Sequence, residues 1–280
     1  MQEQLIRNII SEVLKNVENT IVANPNENKE ELKNIQNFQN NKISLENDIP
    51  EFVGSAIGDT VGLVIANVNE LLLNKMNVSK KYRSIGIIGA RTGASAQIIS
   101  ADEAVKGTNS EIIKVELARD TKGNAGHGVL IVFGAMDVSD VRQAVEITLN
   151  DLNRTFGNLY INECGHLEIQ YTPRSSYACN KAFNAPIGTA FGVIVGAPAA
   201  IGLLMADSAL KASNVDIIDH WSPAYKTSYS NECVTTIYGD SEAVKQALIT
   251  AREVGINVLS KIGSTPTSQS TPTSQSTPYI

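Results

Sequence analysis

The 280-residue sequence is poor in cysteine, in aromatics and in positive charge. Its three cysteines, Cys164, Cys179 and Cys233, are scattered and form no C-x-x-C pair. That excludes a disulfide-built scaffold and a zinc site of the usual spacing, and it suits a reducing cytosol. Aromatics make up 5%, so the core must be assembled from aliphatic and small side chains. Lys and Arg number 23 against 29 Asp and Glu, a net charge of -6. A nucleic-acid surface would need the opposite balance. The N-terminus lacks the basic run, apolar block and small-residue cleavage site of a targeting segment. Ala182 to Ala206 carries no charge and is long enough to cross a bilayer, but Pro186, Pro198 and four glycines interrupt it. A strand, a turn and the start of a helix fit it better than a membrane span.

What the sequence does have is an internal repeat. The segment Ser100-Ala-Asp-Glu-Ala-Val-Lys106, continuing to Ile113, matches Met205-Ala-Asp-Ser-Ala-Leu-Lys211, continuing to Ile218, at a shift of 105 residues. Upstream, Gly86-Ile-Ile matches Gly192-Val-Ile; downstream, Val129–Gly134 matches Val234–Gly239, and Val141–Val145 matches Val244–Leu248. A repeat this long is one supersecondary unit used twice. The copies are expected over 52–157 and 158–262. Each reads as a leading strand-plus-helix piece (61–76 and 167–183), then a buried strand (85–88 and 191–195) and a helix (97–107 and 201–212). Two strands follow (111–117 with 129–133, and 215–221 with 233–238), and then a helix (138–152 and 241–255). Strands and helices that are each apolar on one face predict an α/β (α+β) sandwich, duplicated.

The flanks differ in character. In residues 1–20, Leu5, Ile6, Ile9, Ile10, Val13, Leu14 and Val17 make an apolar helical stripe. Asparagine crowds 21–51, which reads as a flexible linker. Residues 263–280 repeat Ser-Thr-Pro and Thr-Ser-Gln, the composition of an extended, solvated tail.

Candidate chemistry is sparse. The turn Gly89-Ala-Arg-Thr-Gly93 lies between a strand and a helix, as a phosphate loop would, but lacks the residues of a nucleotide motif. Close strand–helix packing explains its glycines better. Cys164, His166 and Glu168 alternate and would share one strand face, but no second cluster completes a metal site; polar positions of a half-exposed strand are expected there. No nucleophile–base pattern is present. No catalytic residue, cofactor or metal is expected. Asp102 and Lys106, and again Asp207 and Lys211, stand at i, i+4, the spacing of an ion pair. A pair repeated in both halves suits a structural or edge role. The loops 120–128 and 224–231 fall at equivalent places and are polar.

The stretches SADEAVKGTNSEIIKVE and MADSALKASNVDIIDHW each resemble the signature helix and strand of the bacterial microcompartment shell domain. The order of elements is similar to the circularly permuted form, in two tandem copies. EFVGSAIGDTVGLVIANV, KYRSIGIIGARTGA, DTKGNAGHG and NAPIGTAFGVIVGAPAAIG resemble the tandem-domain shell proteins of propanediol-utilisation compartments. The resemblance implies a homotrimer that mimics a hexamer and tiles a protein shell with other shell proteins, without catalysis and without membrane or nucleic-acid partners. It implies tile-edge roles for Lys106, Lys211 and Arg174. It implies passage of small polar metabolites such as propanediol or glycerol. The candidates for lining that passage are Asp59, Thr60, Glu163, His166, Ser230 and Asn231, with Lys122, Asn124 and His127 near the threefold axis. The N-terminal helix would bind encapsulated enzymes. A shell protein of an ethanol or ethanolamine compartment, and a small-molecule-binding α/β enzyme, are the alternatives.

Overall fold

The computed structural model describes residues 51–118, 128–226 and 230–270. The apolar stripe of 1–20, the linker to residue 50, and Lys122, Asn124 and His127 lie outside these residues.

The first repeat runs β1 (Phe52–Ala56), β2 (Thr60–Ile65), α1 (Glu70–Lys75), β3 (Ser84–Ala90), α2 (Ala94–Lys106), β4 (Glu111–Ala118), β5 (Gly128–Ala135) and α3 (Val138–Phe156). Its antiparallel sheet has the order β1-β2-β3-β5-β4. The second repeat runs β6 (Leu159–Asn162), β7 (Gly165–Thr172), α4 (Tyr177–Phe183), β8 (Ala190–Ala197), α5 (Ala199–Ala212), β9 (Asp216–Trp221), β10 (Cys233–Gly239), α6 (Ser241–Leu259) and β11 (Thr267–Ser268). Its sheet has the order β11-β6-β7-β8-β10-β9, the same topology with one strand added. The predicted duplication holds, and so does the element order except that each repeat opens with a further strand, β1 or β6, which the sequence reading missed.

The helices form where the apolar spacing predicts them. In α3, Val141, Ala144, Val145, Thr148 and Leu152 are buried; in α6, Val244, Ala247, Leu248 and Ala251 are. Steps of three and four keep each stripe on one face over its sheet. The uncharged stretch at 182–206 becomes the end of α4, then β8 and the start of α5. Among the described residues no helix is long and apolar enough to cross a membrane.

Two expectations are corrected. Residues 263–270 are not a solvated tail: Thr267 and Ser268 pair with Ile161 and Tyr160, and Gln269 N–H donates to the Leu159 carbonyl at 2.9 Å. Backbone pairing at an open sheet edge holds this segment despite its polar composition. Nor is β7 half-exposed. His166 and Glu168 are buried, and only Cys164, in the turn before the strand, is open to solvent. The second face of β7 is covered by the first repeat.

The two repeats share apolar cores. Helix α4 packs on α2 and β4. Ile98, Ile99 and Ile112 of the first repeat belong to one cluster with Cys179, Phe183 and Phe191 of the second. A second cluster joins Ala96, Leu152 and Phe156 to Leu159. Each large side chain buried there contributes about 1.5–3 kcal/mol.

Candidate functional site at the junction of the repeats

Helix α2 begins at Gly93, whose φ of 81° is left-handed. A Cβ there would also lie 2.7 Å from the Phe156 ring. The glycine thus serves a left-handed turn as well as the close packing that the sequence suggested. The place where a phosphate would sit on the helix N-terminus is taken by a carboxylate: Glu168 Oε1, from β7 of the other repeat, accepts the Ala96 N–H at 3.0 Å. An anion is favoured at a helix start. Burial nevertheless pushes the Glu168 carboxyl above its ordinary range, against the pull of nearby His166 and the Ala96 N–H.

Around Glu168 the structure gathers other polar groups. His166 Nε2 lies 3.4 Å from Glu232 Oε2, both residues buried. Ser230 Oγ donates to Glu232 Oε1 at 2.9 Å. Asn231 Oδ1 accepts the Ala199 N–H at 3.3 Å, at the start of α5. On the other side, Gln97 donates to Thr60 Oγ1 at 3.1 Å and to the Thr92 carbonyl at 2.9 Å. Glu168, Glu232, Ser95, Phe183 and Trp221 are among the walls of a cavity of about 30 Å³. Room of that size holds a water or two. Among the described residues no three His, Cys, Asp or Glu side chains form a metal cluster.

Of the proposed lining residues, the structure therefore brings Thr60, His166, Ser230 and Asn231 to the starts of α2 and α5. Asp59, beside Thr60 in the β1–β2 turn, is exposed with φ 50°. Glu163 is engaged elsewhere. Its carboxylate accepts the Ser264 N–H at 2.7 Å and hydroxyl at 2.6 Å, and these bonds hold it below the usual carboxylate range. It anchors the segment that leads to β11. The sequence reading missed Glu232, and it took Glu168 for an outward residue. Polar residues at 166, 168, 170 and 172 look the same on a wet face and on a face buried against polar partners.

A second feature lies at the end of α2. Asp102, fully buried, accepts the Ser176 N–H through both oxygens at 3.0 and 2.9 Å, and those of Ala178 and Cys179 at 3.1 Å each. One carboxylate of the first repeat thus caps α4 of the second. Burial raises its carboxyl above the ordinary value, opposed by the Cys179 N–H and by Lys106. Lys106 Nζ lies 3.2 Å from Asp102, 2.8 Å from Glu103 and 3.2 Å from Thr172 Oγ1. With Arg174, Glu103, Asp151 and Arg154 it lines a surface hollow of about 400 Å³. Lys211 pairs with Asp207 at 2.6 Å, and both are exposed. The predicted i, i+4 pairs form in both repeats, one over a buried carboxylate and one in the open.

Comparison with known proteins fits this duplicated architecture. The BMC domain family model matches residues 84–163 and 190–267, starting each time at the strand that opens the helix-and-strand signature. Over 218 residues the chain is 62% identical to the bacterial microcompartment shell protein PduB of Citrobacter freundii, covering 78% of this chain and 81% of that one. The crystal structure of a trimeric bacterial microcompartment shell protein PduB superposes with a TM-score of 0.76 at 48% identity, over 79% of this chain and 98% of that one. That of EtuB from Clostridium kluyveri gives 0.77 at 53% identity, over 81% of this chain and all of that one. These relatives are shell proteins, which favours the shell reading over the enzyme alternative. A chain whose two repeats are BMC domains, and which is 62% identical to such a shell protein over 81% of that protein's length, belongs to the bacterial microcompartment shell proteins.

Proposed function

We propose that three copies of this chain close into a six-domain tile in the shell of a propanediol-degrading compartment. The observation that carries this is the duplication: each chain supplies two like domains joined by a buried junction, so three chains supply the six positions of a hexagon. The long identity to PduB supports the choice of compartment.

Small polar solutes such as propanediol or glycerol cross the tile at the junction, past Thr60, His166, Ser230 and Asn231, with Glu168 and Glu232 beside them. These groups offer donors and acceptors in place of lost water, and the buried carboxylates disfavour anions. At about 30 Å³ the cavity is too tight for a diol, so passage requires side chains to move. Lys122, Asn124 and His127 would serve an opening at the threefold axis. Lys106, Lys211 and Arg174 face neighbouring tiles, whether copies of this chain or other shell proteins. The stripe from Leu5 to Val17 docks on an enclosed enzyme.

The test is isolation of compartments from cells that make the other propanediol shell proteins with either the full chain or a chain lacking residues 1–50. Both forms should be recovered in the shell, and only the full chain should retain the enzymes. Recovery of the full chain only outside compartments would contradict the reading.

A further inference from the structure

The polar segment that closes the second sheet has a duplicate in the same chain. Residues 264–270 read Ser-Thr-Pro-Thr-Ser-Gln-Ser, and residues 270–276 read the same, with Ser270 common to both. The first copy is the one that carries β11. Thr267 and Ser268 stand opposite Ile161 and Tyr160. Glu163 accepts the Ser264 N–H at 2.7 Å and its hydroxyl at 2.6 Å. Asn162 Nδ2 donates to the Ser264 carbonyl at 2.8 Å. Ser268 Oγ donates to the Gly157 carbonyl at 2.8 Å. The edge of β6 thus binds two serines, four residues apart, with a strand pairing between them.

Every residue held there recurs six positions on: Ser264 as Ser270, Thr267 as Thr273, Ser268 as Ser274 and Gln269 as Gln275. Six is an even number, so a slip by one copy keeps each side chain on its own face of the strand. Two things change. The connection from the end of α6 at Leu259 to Ser264 grows from four residues to ten. Closing the longer loop is disfavoured by a factor of about four. Gln269 also takes the place of Gly263, where a Cβ would lie 2.8 Å from Asn162 Nδ2 and 2.9 Å from Glu163 Oε1. Both atoms end side chains that can shift.

We propose that the outer edge of β6, with Asn162 and Glu163 at its turn, is a binding site for an extended peptide rich in hydroxyls, and that it takes residues 264–270 and residues 270–276 of its own chain in exchange. The short loop and Gly263 favour the first copy. The second makes the same bonds when the first lets go. The connection after α6 can therefore lengthen while the sheet edge stays paired, and no open edge is offered to another chain.

The test is disulfide trapping in the full chain with Cys164→Ser, which removes the exposed thiol. Tyr160→Cys is combined with Ser268→Cys to report the first register, or with Ser274→Cys to report the second. Copper phenanthroline is the oxidant, and peptide mass spectrometry reads the link. Both links should form within single chains, the second at least about fourfold more slowly. Thr267→Pro removes the paired N–H of the first copy and should reverse that order. If Tyr160→Cys disturbs the hairpin, a synthetic Ser-Thr-Pro-Thr-Ser-Gln-Ser peptide replaces the trapping. Added to a chain carrying Thr267→Pro and Thr273→Pro, it should restore the hydrogen-exchange protection of β6 to that of the unaltered chain. A second link that fails to form even with Thr267→Pro would overturn the proposal. So would links between chains in place of links within one, or a peptide that gives no protection.

Discussion

Asp102 holds Ser176: both oxygens of a carboxylate in the first repeat accept one backbone N–H of the second, at 3.0 and 2.9 Å. Two further N–H groups, of Ala178 and Cys179, converge on the same side chain. The junction is thus fixed in orientation by one buried acid as well as by apolar contact. Lys106 Nζ lies 3.2 Å from that acid and joins it to the surface.

Replacement of Asp102 by alanine leaves three N–H groups, those of Ala178 and Cys179 in buried residues, without this acceptor. It should lower unfolding stability by about 2–4 kcal/mol in urea titration, and Asp102→Asn by less, because the amide keeps one acceptor.

Glu168 predicts a pH dependence. Its folded-state pKa lies above its unfolded value, chiefly through burial. The folded chain then binds the proton more tightly than the unfolded chain. Stability attributable to this group is therefore greatest below the unfolded value and falls as pH rises through the folded one. Glu168→Gln keeps an acceptor for the Ala96 N–H and removes the buried charge. It should raise stability at neutral pH by about 1–2 kcal/mol and flatten the decline. A steeper decline in thermal melts across pH would contradict this.

Much of the fold was legible in the sequence because the repeat states it twice. The 105-residue shift aligned both signature helices, and the stripes from Val141 and from Val244 located the long ones. The candidate site was less legible. His166 and Glu168 alternate as on a wet strand, and only the docking of a second repeat turns that face inward. Glu163 seemed free for solutes, but Ser264 holds it, through a C-terminal strand whose Ser/Thr composition carries no strand signal. Backbone pairing at a sheet edge asks little of side chains. Glu232 had no repeated partner and no motif, so periodicity could not single it out.

Gly93→Ala places a methyl group 2.7 Å from Phe156 at a left-handed position. It should cost about 1–3 kcal/mol of stability, read by chemical unfolding. Gly188→Ala, at φ 86° with open space around it, should cost about 1 kcal/mol, from the backbone alone.

Lys106→Ala with Lys211→Ala should weaken two-dimensional sheets in electron micrographs and leave the trimer intact. A surface lysine contributes about 0–1 kcal/mol per contact, but a sheet repeats that contact along every edge. Sheets of unchanged extent would reject the edge assignment.

The most direct measurement is the mass of the full chain in solution by sedimentation equilibrium. A chain of 30.1 kDa that builds a hexagon from two domains each should sediment at three times that mass over the micromolar range. A stable single-chain mass would contradict the account.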